Sequence, residues 1–196
     1  MDSIESDAPL SALTRTLGVV ERILRRSAYL ALLNENRSAM MRLVDLCSRS
    51  QYIADQVALS PVLLDELLDP RVHSAVVTKT DLSAELRQRL AGVAAADSEA
   101  QMHAIVQYQR ATMFRIAVAD FHGSLPIMKV SDGLTWLAET VLDEALGVAW
   151  RDLTARHGEP CYVVDGVTHK AGLGIVGYGK LGGLELSYGS DLDIVF

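Results

Sequence analysis

Cysteine and histidine, the residues of disulfides and zinc sites, are few in this sequence. Its two cysteines, Cys47 and Cys161, stand far apart and belong to no Cys-x-x-Cys pair. That argues against a zinc site or a disulfide framework and leaves two free thiols suited to a reducing compartment. The five histidines are scattered, with no His-x-x-x-His pair, so none is assigned a metal or a catalytic role. The net charge of −7 argues against broad binding to nucleic-acid backbone, which needs clustered lysine and arginine. The one dense basic cluster near the start, Arg22, Arg25 and Arg26, reads as a solvated helix face. No apolar run approaches the ~18 residues of a membrane span, and the opening Met1-Asp-Ser-Ile-Glu-Ser-Asp is acidic where a secretory signal is basic. A cytoplasmic protein with neither nucleic acid nor membrane as partner is expected.

What is present is a chain of 196 residues, 49% hydrophobic, enough for one or two domains with a real core. From about Pro9 to His157 the apolar spacing is helical. Leu10, Leu13, Leu17, Val20, Ile23 and Leu24 recur at three and four, as do Ala39, Met40, Leu43, Val44 and Cys47 after a candidate N-cap, Asn36. Ser60-Pro61 predicts a short helix through Leu67, stopped at Asp69-Pro70. Ser98 with Gln101 reads as a capping box for a long helix carrying Met102, Ile105, Val106, Met113, Ile116 and Val118, broken between Asp120 and Pro126. Ser131 is the expected cap of another long helix, with Leu134, Leu137, Val141, Leu142 and Leu146 on its apolar face, ending near His157-Gly158. Trp136 and Trp150, spaced among leucines, read as core or interface residues. No coiled-coil heptad and no fixed-period repeat is sustained.

The texture changes after Glu159. Cys161-Tyr-Val-Val, then Asp165-Gly166, then Val167-Thr-His predicts a hairpin or an irregular crossing. It sets the expected boundary between a helical domain over residues 1–160 and a second domain over 161–196. In the second, Leu173, Ile175 and Val176 form a short apolar strand running into Gly177-Tyr178-Gly179, a helix starts at Lys180, and Asp191-Leu192-Asp193 heads a second strand, Ile194-Val195-Phe196. In a strand, residues i and i+2 share a face. Two carboxylates so placed suit a hard cation that keeps waters and touches substrate phosphates, as Mg²⁺ does. Glycines let backbone approach a phosphate, and a helix N-terminus offers it free N–H groups. Two other patterns match only as strings. Gly174 to Lys180 fits Gly-x-x-x-x-Gly-Lys, but Leu181 stands where a P-loop needs a hydroxyl. Gly172-x-Gly174-x-x-Gly177 has its predicted strand between the glycines and lacks an acidic partner about 20 residues on.

Gly-Tyr-Gly-Lys-Leu-Gly-Gly-Leu-Glu-Leu followed by Tyr-Gly-Ser-Asp-Leu-Asp-Ile-Val-Phe resembles the signature of the bacterial glutamine synthetase adenylyltransferases, which are polymerase-β-like nucleotidyltransferases. The resemblance extends through Tyr29–Asn36, Leu43–Cys47, Ser60–Pro70 and Leu125–Asp132. It implies a mainly α chain: a helical bundle followed by the first strand, turn, helix and strand of a nucleotidyltransferase domain, truncated before the third carboxylate that such folds use. It further implies that Asp191 and Asp193 hold Mg²⁺, that Gly177, Gly179, Lys180 and Gly182 shape the turn around the ATP triphosphate, and that Ser190 faces the γ-phosphate. The implied activity is transfer of AMP to a tyrosine of glutamine synthetase. In the family's other half AMP is removed by phosphorolysis, and Tyr178 with Ser187–Asp191 looks more like the adenylylating half. A PII-type signalling protein is the implied regulator. The alternative is a helical interaction module without catalysis of its own.

Overall fold

The computed structural model describes residues 7–68 and 78–196. The acidic start and the helix stop expected at Asp69-Pro70 lie outside these described residues. The architecture is mainly helical: α1 (Asp7–Ile23), α2 (Ser27–Glu35), α3 (Arg37–Arg49), α4 (Gln51–Leu59), a 3-10 helix (Pro61–Leu68), α5 (Lys79–Ala91), α6 (Ser98–Phe121) and α7 (Ile127–His157). Four short strands follow, β1 (Cys161–Val164), β2 (Val167–Lys170), β3 (Val176–Gly177) and β4 (Ile194–Val195), with α8 (Gly179–Gly182) between the last two. No described helix is long and apolar enough to cross a membrane.

The chain forms two compact units, one of residues 1–75 and 113–126, the other of residues 76–112 and 127–196. In the first, Val19 and Ile23 of α1 bury with Leu43, Leu46 and Cys47 of α3 and Ile53 and Val57 of α4. Burial pushes the Cys47 thiol above its ordinary range, against smaller opposing effects of Thr16 and Arg15. The inward side of α1 differs from the expected stripe. Thr16 is buried, its hydroxyl donating to the Ala12 carbonyl at 2.8 Å, while Leu10, Leu13, Leu17 and Leu24 are at least half exposed. A threonine that satisfies its hydroxyl within its own helix packs as an apolar residue. The inward face can therefore rotate away from the leucines.

In the second unit, Leu82 and Leu86 of α5, Ile105 and Tyr108 of α6 and Leu134 and Leu137 of α7 are buried. Polar contacts tie the same helices: Arg151 donates to Gln101 Oε1 at 2.9 Å, and Arg87 pairs with Glu144 at 2.8 Å. Trp136 and Trp150 are only half-buried, and the Lys129 ammonium lies 6.0 Å from the Trp136 ring centroid.

Three expected caps are displaced. Asp97, and not Ser98, caps α6, its carboxylate accepting from the Ala100 N–H at 2.9 Å. Gln101 is drawn into tertiary bonds with Ala94 and Arg151, so the capping box does not form. Asn36 precedes α3 but caps no backbone N–H, its Oδ1 instead accepting from the Ser38 hydroxyl. Helix α7 begins at Ile127 directly after Pro126, four residues before Ser131. The reason is that Ile127 and Met128 are exposed, so the apolar period that marks the helix begins a turn late. Replacing Asp97 with Ala should therefore destabilise the fold by about 1 kcal/mol in urea unfolding. Ser98→Ala should stay within about 0.5 kcal/mol, and the reverse order would return the cap to Ser98.

Helix α7 ends at His157, with Gly158 at φ +78° and its N–H bonded to the Thr154 carbonyl at 2.9 Å. The hairpin then forms as expected. Cys161 pairs with Lys170 and Val164 with Val167, and Asp165 and Gly166 at φ 51° and 75° make the two-residue turn whose twist suits antiparallel strands. Its base is closed by the Ala171 N–H to the Pro160 carbonyl at 2.8 Å and by an ion pair of Lys170 with Glu159. Hydrogen bonding to Glu159 raises the Lys170 ammonium above its ordinary range.

Candidate functional site

The carboxylates named from the sequence reach their positions through one short antiparallel pair. Val176 lies opposite Val195 and Gly177 opposite Ile194. This register sets Tyr178 beside Asp193, and the Tyr178 N–H donates to the Asp193 carbonyl at 2.8 Å. The chain then turns at once into α8, where the Gly182 N–H bonds the Tyr178 carbonyl at 3.0 Å and the Gly183 N–H the Gly179 carbonyl at 2.9 Å.

The glycines stand where there is no room for a side chain. Gly179 has φ +53°, and a Cβ built on it would collide with Asp193 Oδ2, its next neighbour being Asp193 Cγ at 3.3 Å. A Cβ on Gly182 would lie 2.7 Å from the Gly177 carbonyl oxygen, and one on Gly177 would lie 2.9 Å from the Leu181 side chain. Real Cβ atoms do not make such contacts, so the turn closes on the Asp193 carboxylate only because these positions lack one. Leu181 and Leu186 are buried, while Lys180 and Asp191 are exposed.

Regular structure here is shorter than the sequence suggests. The stretch from Leu173 to Ile175 makes no ladder, so β3 is only Val176–Gly177. The helix expected to start at Lys180 is a single turn, with Leu184 at φ 59°. Asp191 and Asp193 precede β4 and are not inside it. Between α8 and the carboxylates the chain folds back at Ser187-Tyr188-Gly189-Ser190. The Ser190 N–H donates to the Ser187 carbonyl at 3.1 Å, the Ser187 N–H donates to Ser190 Oγ at 3.1 Å, and the two hydroxyl oxygens are 2.9 Å apart. Sequence reasoning gave Ser190 a place at the phosphate and gave Ser187 no separate role. The Ser-x-Gly-Ser spacing, with a glycine third in the turn at φ +72°, was its only signal.

A cleft of about 520 Å³ lies in the same unit, lined by Lys79, Glu139 and Thr140 on the helices and by Leu173, Gly177 and Gly182 on the turn. Ser190, Asp191 and Asp193 are not among its lining residues. Among the described residues no group of three or more histidine, cysteine, aspartate or glutamate side chains is placed to hold a metal ion. Asp191 and Asp193 are two residues apart in the chain, and their oxygens are of the hard type that suits a cation completed by water and phosphate.

The profile of the glutamate-ammonia ligase adenylyltransferase family matches residues 40–196. Three curated relatives carry the name bifunctional glutamine synthetase adenylyltransferase/adenylyl-removing enzyme. That of Pseudomonas putida is 49% identical over 194 residues, covering 99% of this chain. That of Thioalkalivibrio sulfidiphilus is 48% identical over 191 residues and 97% of this chain, and that of Shewanella woodyi 46% over 188 residues and 96%. The chain spans about a fifth of the length of these relatives, 20%, 20% and 19% respectively. With a specific glycine turn closed on Asp193 and a family match across most of its length, the chain belongs to the glutamate-ammonia ligase adenylyltransferase family.

Proposed function

We propose that this chain supplies part of a nucleotidyl-transfer site acting on the bond between AMP and a tyrosine of glutamine synthetase, a cytoplasmic control of nitrogen assimilation with a PII-type protein as regulator. The observation that carries the reading is the seating of the Asp193 carboxylate against Gly179. It brings a negative group and a run of close-approach backbone to one place, which is what a phosphate-bearing substrate with its cation needs. Residues 1–160 serve as helical scaffold and 161–196 as the site-bearing part.

In this reading Asp191 and Asp193 hold Mg²⁺, which when bound neutralises charge on the phosphates. Gly177, Gly179 and Gly182 let the turn approach the triphosphate of ATP, Lys180 adds a positive charge from the exposed face of α8, and Ser190 donates a hydrogen bond to a phosphate oxygen. Positioning then does most of the work. In the forward direction the tyrosyl oxygen attacks the α-phosphorus in line and pyrophosphate leaves. In phosphorolysis inorganic phosphate attacks the same phosphorus, the tyrosyl oxygen leaves and ADP forms, so a site of this kind suits either reaction, one in each half of the protein.

The test uses the full-length protein, with AMP transfer from α-labelled ATP to glutamine synthetase and phosphorolysis of the adenylylated product measured side by side. Asp191→Asn should lower one direction by at least about a hundredfold and leave the other. The direction lost identifies the half to which this chain belongs. Chelation of divalent cations should abolish that direction in the wild type. Both directions at wild-type rates in Asp191→Asn would support the helical interaction module instead.

A further inference from the structure

We infer that Ser187 is a positioning residue that fixes the Ser190 hydroxyl as a hydrogen-bond donor toward a phosphate oxygen. The inference rests on the nucleotidyl-transfer reading above and adds to it a residue that reading does not use. A serine oxygen has two lone pairs and one proton. Ser190 Oγ already accepts the Ser187 N–H at 3.1 Å, and Ser187 Oγ sits 2.9 Å from it. With the Ser187 hydroxyl as donor in that pair, both acceptor positions of Ser190 are filled from one side. In that assignment the Ser190 proton is not used within the turn and is available to a ligand.

The turn holds this arrangement in place. It is closed by the Ser190 N–H to the Ser187 carbonyl at 3.1 Å and passes through Gly189 at φ +72°, with open space around that glycine. Asp191 follows Ser190 directly, so the same turn that orients the hydroxyl also delivers the first carboxylate. An anion is the ligand such a preset donor fits, because a hydrogen bond to a charged oxygen is shorter and about twice as strong as a neutral one. A free serine hydroxyl spends time in rotamers that face water. One held as an acceptor on one side loses no rotational freedom when the phosphate arrives.

The experiment is a double-mutant cycle in the full-length protein, read in whichever direction Asp191→Asn abolishes. Its co-substrate is ATP for AMP transfer and inorganic phosphate for phosphorolysis. Ser187→Ala should raise the KM for that co-substrate roughly tenfold, with kcat within about threefold. Ser187→Thr, which keeps the hydroxyl, should restore KM to within about threefold of wild type. Ser190→Ala should raise KM at least as much as Ser187→Ala. Adding Ser187→Ala to Ser190→Ala should change nothing further, since the first acts only through the second. Fully additive effects, an unchanged KM in Ser187→Ala, or a fall confined to kcat would overturn the assignment. Loss of activity in Asp191→Asn together with any of those results leaves the nucleotidyl-transfer reading standing and removes only the role of Ser187. An unaffected Asp191→Asn removes both.

Discussion

Gly179→Ala should lower nucleotidyl transfer by the full-length protein about a hundredfold while leaving it folded. Two effects act at this position. The backbone at φ +53° strains any residue with a Cβ, at roughly 1–2 kcal/mol, and the new methyl collides with Asp193 Oδ2. The strain alone is a modest stability change. The collision forces the carboxylate or the turn to move, and a displacement of about 1 Å at a reacting centre is enough to cost on the order of a hundredfold. Gly166→Ala separates the two, since it has φ +75° in the hairpin and open space around it. It should show the stability loss without the activity loss. Thermal unfolding and initial rates of both variants make the comparison, and activities within threefold of one another would mean that the close approach of Asp193 to Gly179 does not matter.

The largest loss of stability is expected at Tyr108. Its side chain is fully buried, its hydroxyl donates to the Leu82 carbonyl at 3.0 Å, and the Arg89 guanidinium lies 5.2 Å from its ring centroid. Tyr108→Ala removes ring volume that its neighbours cannot refill and should destabilise by about 3–5 kcal/mol. Tyr108→Phe keeps the ring and leaves the Leu82 carbonyl one bond short, an expected loss of about 1 kcal/mol. Urea unfolding of the second unit reads both. With domains stable by only about 5–15 kcal/mol, Tyr108→Ala should leave a measurable unfolded fraction at moderate temperature. A loss under 1.5 kcal/mol would show that α5 and α6 collapse onto the space.

Tyr108 also shows what the sequence could not say. Helical periodicity located α1, α3, α6 and α7 because it depends on local spacing, and Pro126 and Gly158 punctuate the chain whatever surrounds them. Which side of a helix faces inward is a tertiary outcome. In α1 the run of leucines was the strongest local signal, yet Thr16, Val19 and Ile23 are the buried set. Caps failed for a related reason: Asp97 and Ser98 are adjacent and both competent, and only the use of Gln101 elsewhere decides between them. At the turn, Gly177, Gly179 and Gly182 were legible because each stands where a side chain would collide. The Ser187 contact was not, since it depends on a turn whose closure no periodicity announces.

Between residues 161 and 196 only Leu181 and Leu186 are buried, and this sets how that segment exchanges its amide protons. Full burial of a leucine contributes about 1.5–3 kcal/mol, and the glycines beside them add no side-chain contacts. The free energy of opening the segment is therefore fixed by two anchors and a few backbone bonds, and not by the long helix before it. Amides of Tyr178 and Gly182 should exchange through this local opening, well ahead of amides in the middle of α7, whose release requires the unit to unfold. The part of the chain that holds Asp193 close to its backbone is thus also the part that lets go first.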